Sequence, residues 1–139
     1  MKKLLFAVFI LILGTSTVFG HTFVPDFSTM KILRCDFDET VYNQDNTVLT
    51  KSKLFRIFYL DDENKLIYLQ KEPIDHILYY ETDKIEYNLQ SMTDDYIMMA
   101  HTTIDRISLE YNSKSTMTYD NPMFGVRRST SKGVCKFLN

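Results

Sequence analysis

The densest group of residues that could take part in chemistry is "RCDFDETVYNQDN", residues 34–46. Asp36 and Asp38 are two positions apart, and Thr40 follows at the same interval. Carboxylates can attack a substrate covalently, transfer protons or help to hold a metal ion. A calcium-binding loop is excluded, because Val41 stands where the sharp turn of such a loop requires Gly.

The pattern Asp-x-Asp-x-Thr-Val resembles the motif that opens haloacid-dehalogenase-type phosphatases. The resemblance implies that Asp36 attacks phosphorus, that Asp38 protonates the leaving group and that Thr40 supports the site, with Mg²⁺ held by further carboxylates. It also implies a doubly wound domain, which needs on the order of 150 residues. The following residues, "YNQDNTVLTKSK", show no amphipathic helix for the first crossover. A phosphatase is therefore a minor alternative, and we expect no enzyme.

The first twenty residues have the three parts of a secretory signal peptide. Two lysines form a basic start, "LLFAVFILILG" is an apolar core, and "VFG" at 18–20 supplies small residues around a cleavage point. The apolar run is shorter than the ~20 residues that span a bilayer, so we expect cleavage and no stable membrane insertion. We therefore interpret residues 1–20 as signal peptide and 21–139 as a single β-rich domain, secreted or periplasmic.

Cleavage after Gly20 would make His21 the first mature residue. A terminal His with a free amine resembles the histidine brace of exported copper proteins, and could chelate copper with His76 or His101. A copper-binding protein is thus one alternative, and no other cofactor is indicated. The sequence contains no Gly-x-Ser-x-Gly, no His-Glu-x-x-His and no phosphate-binding glycine loop, so it indicates no further catalytic residues.

Charge and cysteine content restrict the partners and the compartment. The chain has 16 Lys and Arg and 18 Asp and Glu, and loss of the two signal lysines makes the mature chain more acidic. Nucleic acid is therefore not an expected partner. Both cysteines, Cys35 and Cys135, lie in the exported part, and an oxidising compartment favours a disulfide between them.

Alternation of apolar and polar residues predicts β-strands along the mature chain. In "KIEYNLQ" the residues Ile85, Tyr87 and Leu89 share a face, and "RISLEYN" predicts the same arrangement for Ile107, Leu109 and Tyr111. Polar turns around "DDEN" and Thr82-Asp83 predict two hairpins.

The two ends of the mature chain carry matching patterns. "MKILRCDF" and "GVCKFL" each place a cysteine on the same face as an aromatic residue, so we expect these first and last strands to be neighbours. The predicted fold is all-β: a single small antiparallel meander of about eight strands. It would be barrel-like if it closes, or otherwise an open, curled sheet.

Residues 112–133 are interpreted as mainly a long loop, because Ser, Thr, Asn, Pro and Gly interrupt the alternation. By contrast, "KLFRIFYL" is apolar on both faces of its predicted strand, which favours a contact patch or a covered face. Aromatic and Arg residues often dominate binding energy. We therefore predict that any partner surface comprises Leu54, Arg56, Phe58, Tyr119, Phe124, Arg127 and Arg128.

These patterns together predict an exported, barrel-like module that binds an unknown target and does not catalyse a reaction. In layout it is similar to small exported lysozyme-inhibitor barrels, which combine a signal peptide, a short mature chain and a disulfide. Their inhibitory motif has no match here, so this likeness assigns no residues. A lipocalin-like carrier of a small apolar ligand is the further alternative.

Overall fold

In the computed structural model, which describes residues 24–138, the chain forms one antiparallel β-sheet. Its strands are β1 Lys31–Tyr42, β2 Val48–Asp61, β3 Leu66–Leu69, β4 Glu72–Pro73, β5 His76–Tyr80, β6 Lys84–Met92, β7 Tyr96–Asp105, β8 Glu110–Tyr119 and β9 Val126–Phe137. The prediction of an all-β, antiparallel fold is confirmed. No helix long and apolar enough to cross a membrane occurs within these described residues. The predicted signal peptide lies outside them.

The strand order is β4-β3-β2-β1-β9-β8-β7-β6-β5, so strands adjacent in the chain are also neighbours in the sheet, apart from one pair. That pair is β4 and β5, which form the two edges. Only Ile74 and Asp75 separate Pro73 from His76, so the edges come within about 11 Å of each other there. The sheet consequently curls into a half-barrel. The predicted pairing of the first and last strands is confirmed, and the curled alternative describes the sheet.

The strands differ greatly in length, and this difference places the core at one end of the half-barrel. β1, β2 and β9 have 12 to 14 residues, whereas β3 to β5 have two to five. The short strands bring the two edges of the sheet near each other only at one end, and the buried side chains gather there. The core consists of Leu33, Cys35, Phe37, Phe58, Leu60, Ile67, Ile74, Tyr80, Ile85, Tyr87, Ile104, Tyr111 and Cys135. The other halves of the long strands extend beyond it and leave a concave face.

The disulfide joins Cys35 and Cys135, which lie directly opposite each other on β1 and β9. Both cysteines are buried, so the bond belongs to the core. The predicted pairing of these cysteines is confirmed. Because the bond connects the first and last strands, it fixes the register at the centre of the sheet.

A glycine in β9 allows two aromatic rings to meet above it. Gly133 lies between Phe37 on β1 and Tyr111 on β8, and the two rings stack with centroids 4.8 Å apart. A Cβ at this position would lie 2.1 Å from the carbonyl oxygen of Asp36 and 2.5 Å from Cα of Phe37. Only glycine therefore allows this close approach of the strands.

The predicted strand at residues 106–112 is wrong in its first half. Arg106, Ile107 and Ser108 form a turn, because the carboxylate of Asp105 accepts hydrogen bonds from the backbone N–H groups of Ile107 and Ser108. Ile107 is 79% exposed instead of facing the core, and Leu109 is only partly buried. Tyr111 is fully buried, as predicted.

The predicted long loop at residues 112–133 is also wrong. Most of it belongs to β8 and β9, which are joined by a short turn at 120–125. Asn121 accepts the N–H of Met123, and Gly125 adopts a positive φ of 56° to complete the turn. The alternation was hidden because serines occupy inward positions of both strands, so apolar and polar residues do not separate by face.

Candidate ligand-binding site

The concave face beyond the core encloses a cavity of about 290 Å³. Six strands contribute side chains to it: β1, β2, β6, β7, β8 and β9. It is lined by Glu39, Val41, Thr50, Arg56, Leu89, Met98, Ala100, Ser113, Ser115, Met117, Tyr119, Arg127, Arg128 and Ser129. The cavity exists because β3 to β5 are too short to extend along this half of the long strands.

One side of the cavity is apolar. Leu89 on β6, Met98 and Ala100 on β7 and Met117 on β8 form this apolar wall, with Leu89 opposite Ala100 and Met98 opposite Met117. Methionine side chains are flexible and polarizable, so they adapt to ligands of different shape. The apolar wall can therefore receive the hydrocarbon part of a ligand.

The polar side chains of the lining come mainly from β1, β2 and β9, together with two serines of β8, and several hydroxyl groups are connected. The Oγ atoms of Ser115 and Ser129 are 2.8 Å apart, and Ser129 Oγ donates to Glu39 Oε1 at 3.2 Å. Deeper in the sheet, the hydroxyls of Thr102 and Ser113 are 2.9 Å apart. The carboxylate of Glu39 is thus engaged by a serine hydroxyl.

Arg56 supplies a positive charge at the inner end of the cavity. Its Nη1 donates to the hydroxyl of Tyr111 at 2.9 Å, and its guanidinium carbon lies 5.6 Å from the ring centroid of Phe37. Both partners are neutral, and no carboxylate of residues 24–138 lies within ion-pair distance of Arg56. A half-buried guanidinium without a counter-ion retains most of its capacity to bind an anion.

Tyr87 lies beside this group and carries an unused hydroxyl. The side chain is fully buried, and its OH is the one buried side-chain polar atom without a hydrogen-bond partner in the described part of the chain. Burial raises the pKa of Tyr87, while Thr102 and Arg56 lie near enough to oppose that increase. Their positions fall short of hydrogen-bond geometry, so the hydroxyl is close to Arg56 but unpaired.

The outer rim of the cavity combines aromatic rings with cations. Arg127 lies over the rings of Tyr119 and Phe124, at 5.1 and 5.8 Å from their centroids. Arg128 donates to Oδ1 of Asn46 at 2.8 Å, which connects the rim to the β1–β2 turn. The aromatic and cationic groups of the rim therefore hold one another in place.

The structure brings together four of the seven residues predicted for a partner surface, since Arg56, Tyr119, Arg127 and Arg128 all line the cavity. Phe124 joins them at the rim by its contact with Tyr119. The assignment of Phe58 to an exposed surface is wrong. This ring is fully buried between Tyr87 and Tyr111, because its half of β2 lies at the closed end.

Leu54 is 44% exposed and does not line the cavity, so it is separate from the other predicted residues. Sequence reasoning missed the apolar wall and the inward serines. A usable signal was present in β8, where Tyr111, Ser113, Ser115, Met117 and Tyr119 keep a strict period of two.

The two aspartates of the acidic motif, Asp36 and Asp38, lie outside the cavity, although Glu39 and Val41 of the same stretch line it. Asp36 is in the middle of β1, antiparallel to both neighbouring strands, whereas the phosphatase resemblance implies the end of a parallel strand. Its carboxylate pairs with Arg34 at 2.8 Å, and this hydrogen-bonded guanidinium lowers the pKa of Asp36. Asp38 and Thr40 follow along the same strand, so the fold that the resemblance implies is not present.

The histidines suggested for copper do not form a site in the described residues. His76 and His101 lie on either side of Asn88 in the register, and His101 Nδ1 is 2.9 Å from Asn88 Oδ1. No group of three His, Cys, Asp or Glu within residues 24–138 could hold a metal ion. His21 lies outside that range, so copper binding through it stays a prediction.

Comparison of the chain with protein families, with curated proteins and with solved structures found no match. Arguments about function therefore depend on the cavity and its side chains.

Proposed function

We propose that this protein is an exported binding protein that holds a small ligand in the cavity, without catalysing a reaction. The observation that carries the proposal is the cavity of about 290 Å³, which combines an apolar wall with polar and charged side chains. Ligand sites are concave and mostly apolar, with a few polar groups that orient the ligand, and their volumes begin near this value. The ligand is accordingly small, as in the carrier hypothesis.

A neutral fluorescent probe, N-phenyl-1-naphthylamine, tests whether the cavity binds apolar molecules. The Met117→Trp variant would place a bulky indole ring inside the cavity, whereas Thr118→Trp would place the same ring on the opposite face of β8. We expect the probe to bind wild type and Thr118→Trp equally and to lose at least tenfold in affinity for Met117→Trp. Equal binding to all three proteins, or none to wild type, would contradict the proposal.

Export is part of the proposal, and the disulfide supports it because such bonds persist in oxidising compartments. The expected mature protein begins at His21. Intact-mass analysis of protein recovered outside the cytoplasm should show that residues 1–20 are absent. Recovery of the intact 139-residue chain from the cytoplasm with reduced cysteines would contradict export.

A protein partner at the rim is a second candidate function, favoured by the half-exposed ring of Phe124 stacked on Arg127. Substituting both residues by Ala separates recognition from support of the sheet. If the rim binds a partner, the melting temperature should change by less than about 4 °C, and capture of envelope or host proteins should be lost. A large fall in melting temperature would show that these side chains only cover the sheet.

A further inference from the structure

The charge inside the cavity is opposite in sign to that of the whole chain. The lining includes three cations, Arg56, Arg127 and Arg128, and a single anion, Glu39. Yet acidic residues outnumber basic ones, 18 to 16, in the complete sequence. A concave surface with an excess of one charge concentrates ligands of the opposite charge.

Arg56 is the cation best placed to bind such a ligand. Arg127 is stacked on two rings, and Arg128 bonds to Asn46 at the exposed rim. Arg56 instead lies at the inner end, where one of its five N–H donors is used by Tyr111. A planar guanidinium with free donors fits a carboxylate in a bidentate arrangement, and partial removal from water strengthens that contact.

The carboxylate content of the lining favours the same position. Its single carboxylate, Glu39, accepts a hydrogen bond from Ser129 and forms no ion pair with Arg56. The remaining N–H donors of Arg56 are therefore available at the inner end of the cavity, whereas the apolar wall offers none.

Resting on the function proposed above, we propose that the ligand is an amphiphilic monocarboxylate. Its carboxylate binds the guanidinium of Arg56, and its hydrocarbon part lies against Leu89, Met98 and Met117. A neutral molecule with the same tail would use the apolar wall but leave Arg56 without a counter-ion. Selectivity for the acid over the alcohol is the property that distinguishes this arrangement from a purely apolar carrier.

Octanoate and 1-octanol are suitable probes because they share a tail and differ in the head group. Each would be titrated at pH 7 against the mature protein, with displacement of N-phenyl-1-naphthylamine as the readout. We expect octanoate to bind wild type at least tenfold more tightly than 1-octanol. A tenfold difference in affinity is what a hydrogen bond to a charged group typically contributes. Arg56→Met should abolish this preference and change the affinity for 1-octanol by less than threefold.

Arg34→Met is the matched control. Arg34 also lies over an aromatic ring, that of Phe55 at 4.5 Å, but it faces away from the cavity and pairs with Asp36. This variant removes the same charge and should keep the full preference for octanoate. An equal loss of preference in both variants would show a general effect of net charge and would overturn the proposal.

A second measurement uses wild type alone, so it does not depend on the folding of a variant. Saturating octanoate should shift the Arg56 Nε–Hε resonance in ¹H–¹⁵N spectra, and 1-octanol should leave it in place. If the naphthylamine probe binds but octanoate and 1-octanol compete equally, the carboxylate assignment is wrong while the proposed function stands. If neither the probe nor either ligand binds, both are wrong.

Discussion

At the scale of single residues, two tyrosines of the core differ in one respect that can be measured. Both rings are fully buried, but Tyr111 accepts a hydrogen bond from Arg56, whereas the hydroxyl of Tyr87 has no partner within residues 24–138. A buried hydroxyl without a partner lowers stability by about 1 to 3 kcal/mol. Removal of the two hydroxyls should therefore change the stability of the protein in opposite directions.

We expect Tyr87→Phe to raise the free energy of unfolding of the ligand-free protein by about 1 kcal/mol, because it removes an unpaired polar atom. Tyr111→Phe should lower it by about 1 to 3 kcal/mol, because Arg56 then loses its acceptor. Urea denaturation of both variants measures the difference. A loss of stability in Tyr87→Phe as large as that in Tyr111→Phe would show that its hydroxyl is bonded.

Asp62 connects parts of the chain on both sides of the break between β4 and β5. Its carboxylate lies 2.7 Å from Nζ of Lys31 and accepts from Tyr80 and Arg106, each at 2.8 Å. Partial burial raises the pKa of Asp62. The hydrogen bonds and the nearby positive charges lower the pKa by more than burial raises it, so it lies below the usual value. The charged carboxylate therefore stabilises the fold.

We expect Asp62→Asn to lower the free energy of unfolding by about 1 to 2 kcal/mol at pH 6, a value reduced because the carboxylate is one-third exposed. A lowered pKa means that this contribution is complete above the unfolded value of 3.8 and disappears as pH falls through the folded pKa. The difference between wild type and variant should therefore shrink as the pH falls from about 5 to about 2 in urea titrations.

Asp36→Asn is the matched control for Asp62. Its ion pair with Arg34 lies at the surface, where water and salt screen the charges and such pairs contribute little to stability. The variant should therefore lose much less stability than Asp62→Asn at pH 6. Equal losses in the two variants would contradict a role for Asp62 in holding the edges together.

At the scale of the elements, pairing of β1 with β9 depends on Gly133. We expect Gly133→Ala to lower stability by about 1 to 3 kcal/mol, because the new Cβ would overlap the backbone of Asp36 and Phe37. The ring resonances of Phe37 and Tyr111 should also shift, since their stacking requires this space. Val134→Ala, an exposed neighbour on the same strand, should change neither property appreciably. Unaltered stability in Gly133→Ala would contradict the close approach.

Two features of individual strands explain why strand prediction from the sequence failed in two places. Asp105 stops β7 by binding two backbone N–H groups, a local interaction that apolar alternation does not reveal. In β8 and β9 the inward positions beyond the core include serines, and their hydroxyls contact Thr102 on β7 or each other across strands. Alternation reveals strands only where one face meets an apolar core, so strands that line a polar cavity resemble loops.

At the scale of the whole molecule, the disulfide closes a loop of 100 residues between the first and last strands. In the chain-entropy model, a loop of this size contributes about 4 to 5 kcal/mol of stability. We expect the Cys35→Ala, Cys135→Ala double variant to lose a large part of that amount in urea denaturation, together with a lower melting temperature. A loss below about 1 kcal/mol would show that the paired strands hold the sheet without the bond.

By itself the sequence determined the all-β class, the hairpins and the pairing of the end strands, because alternation and turn residues act locally and each end carries a cysteine. It also supplied four of the cavity residues, since Arg and aromatic types are recognisable without a fold. Only the tertiary structure decided that Phe58 is buried, that Arg56 has no carboxylate partner among residues 24–138, and that serines and methionines line the same cavity. Those properties depend on how far the sheet curls and on the shortness of β3 to β5, which bring residues distant in the chain to the same face.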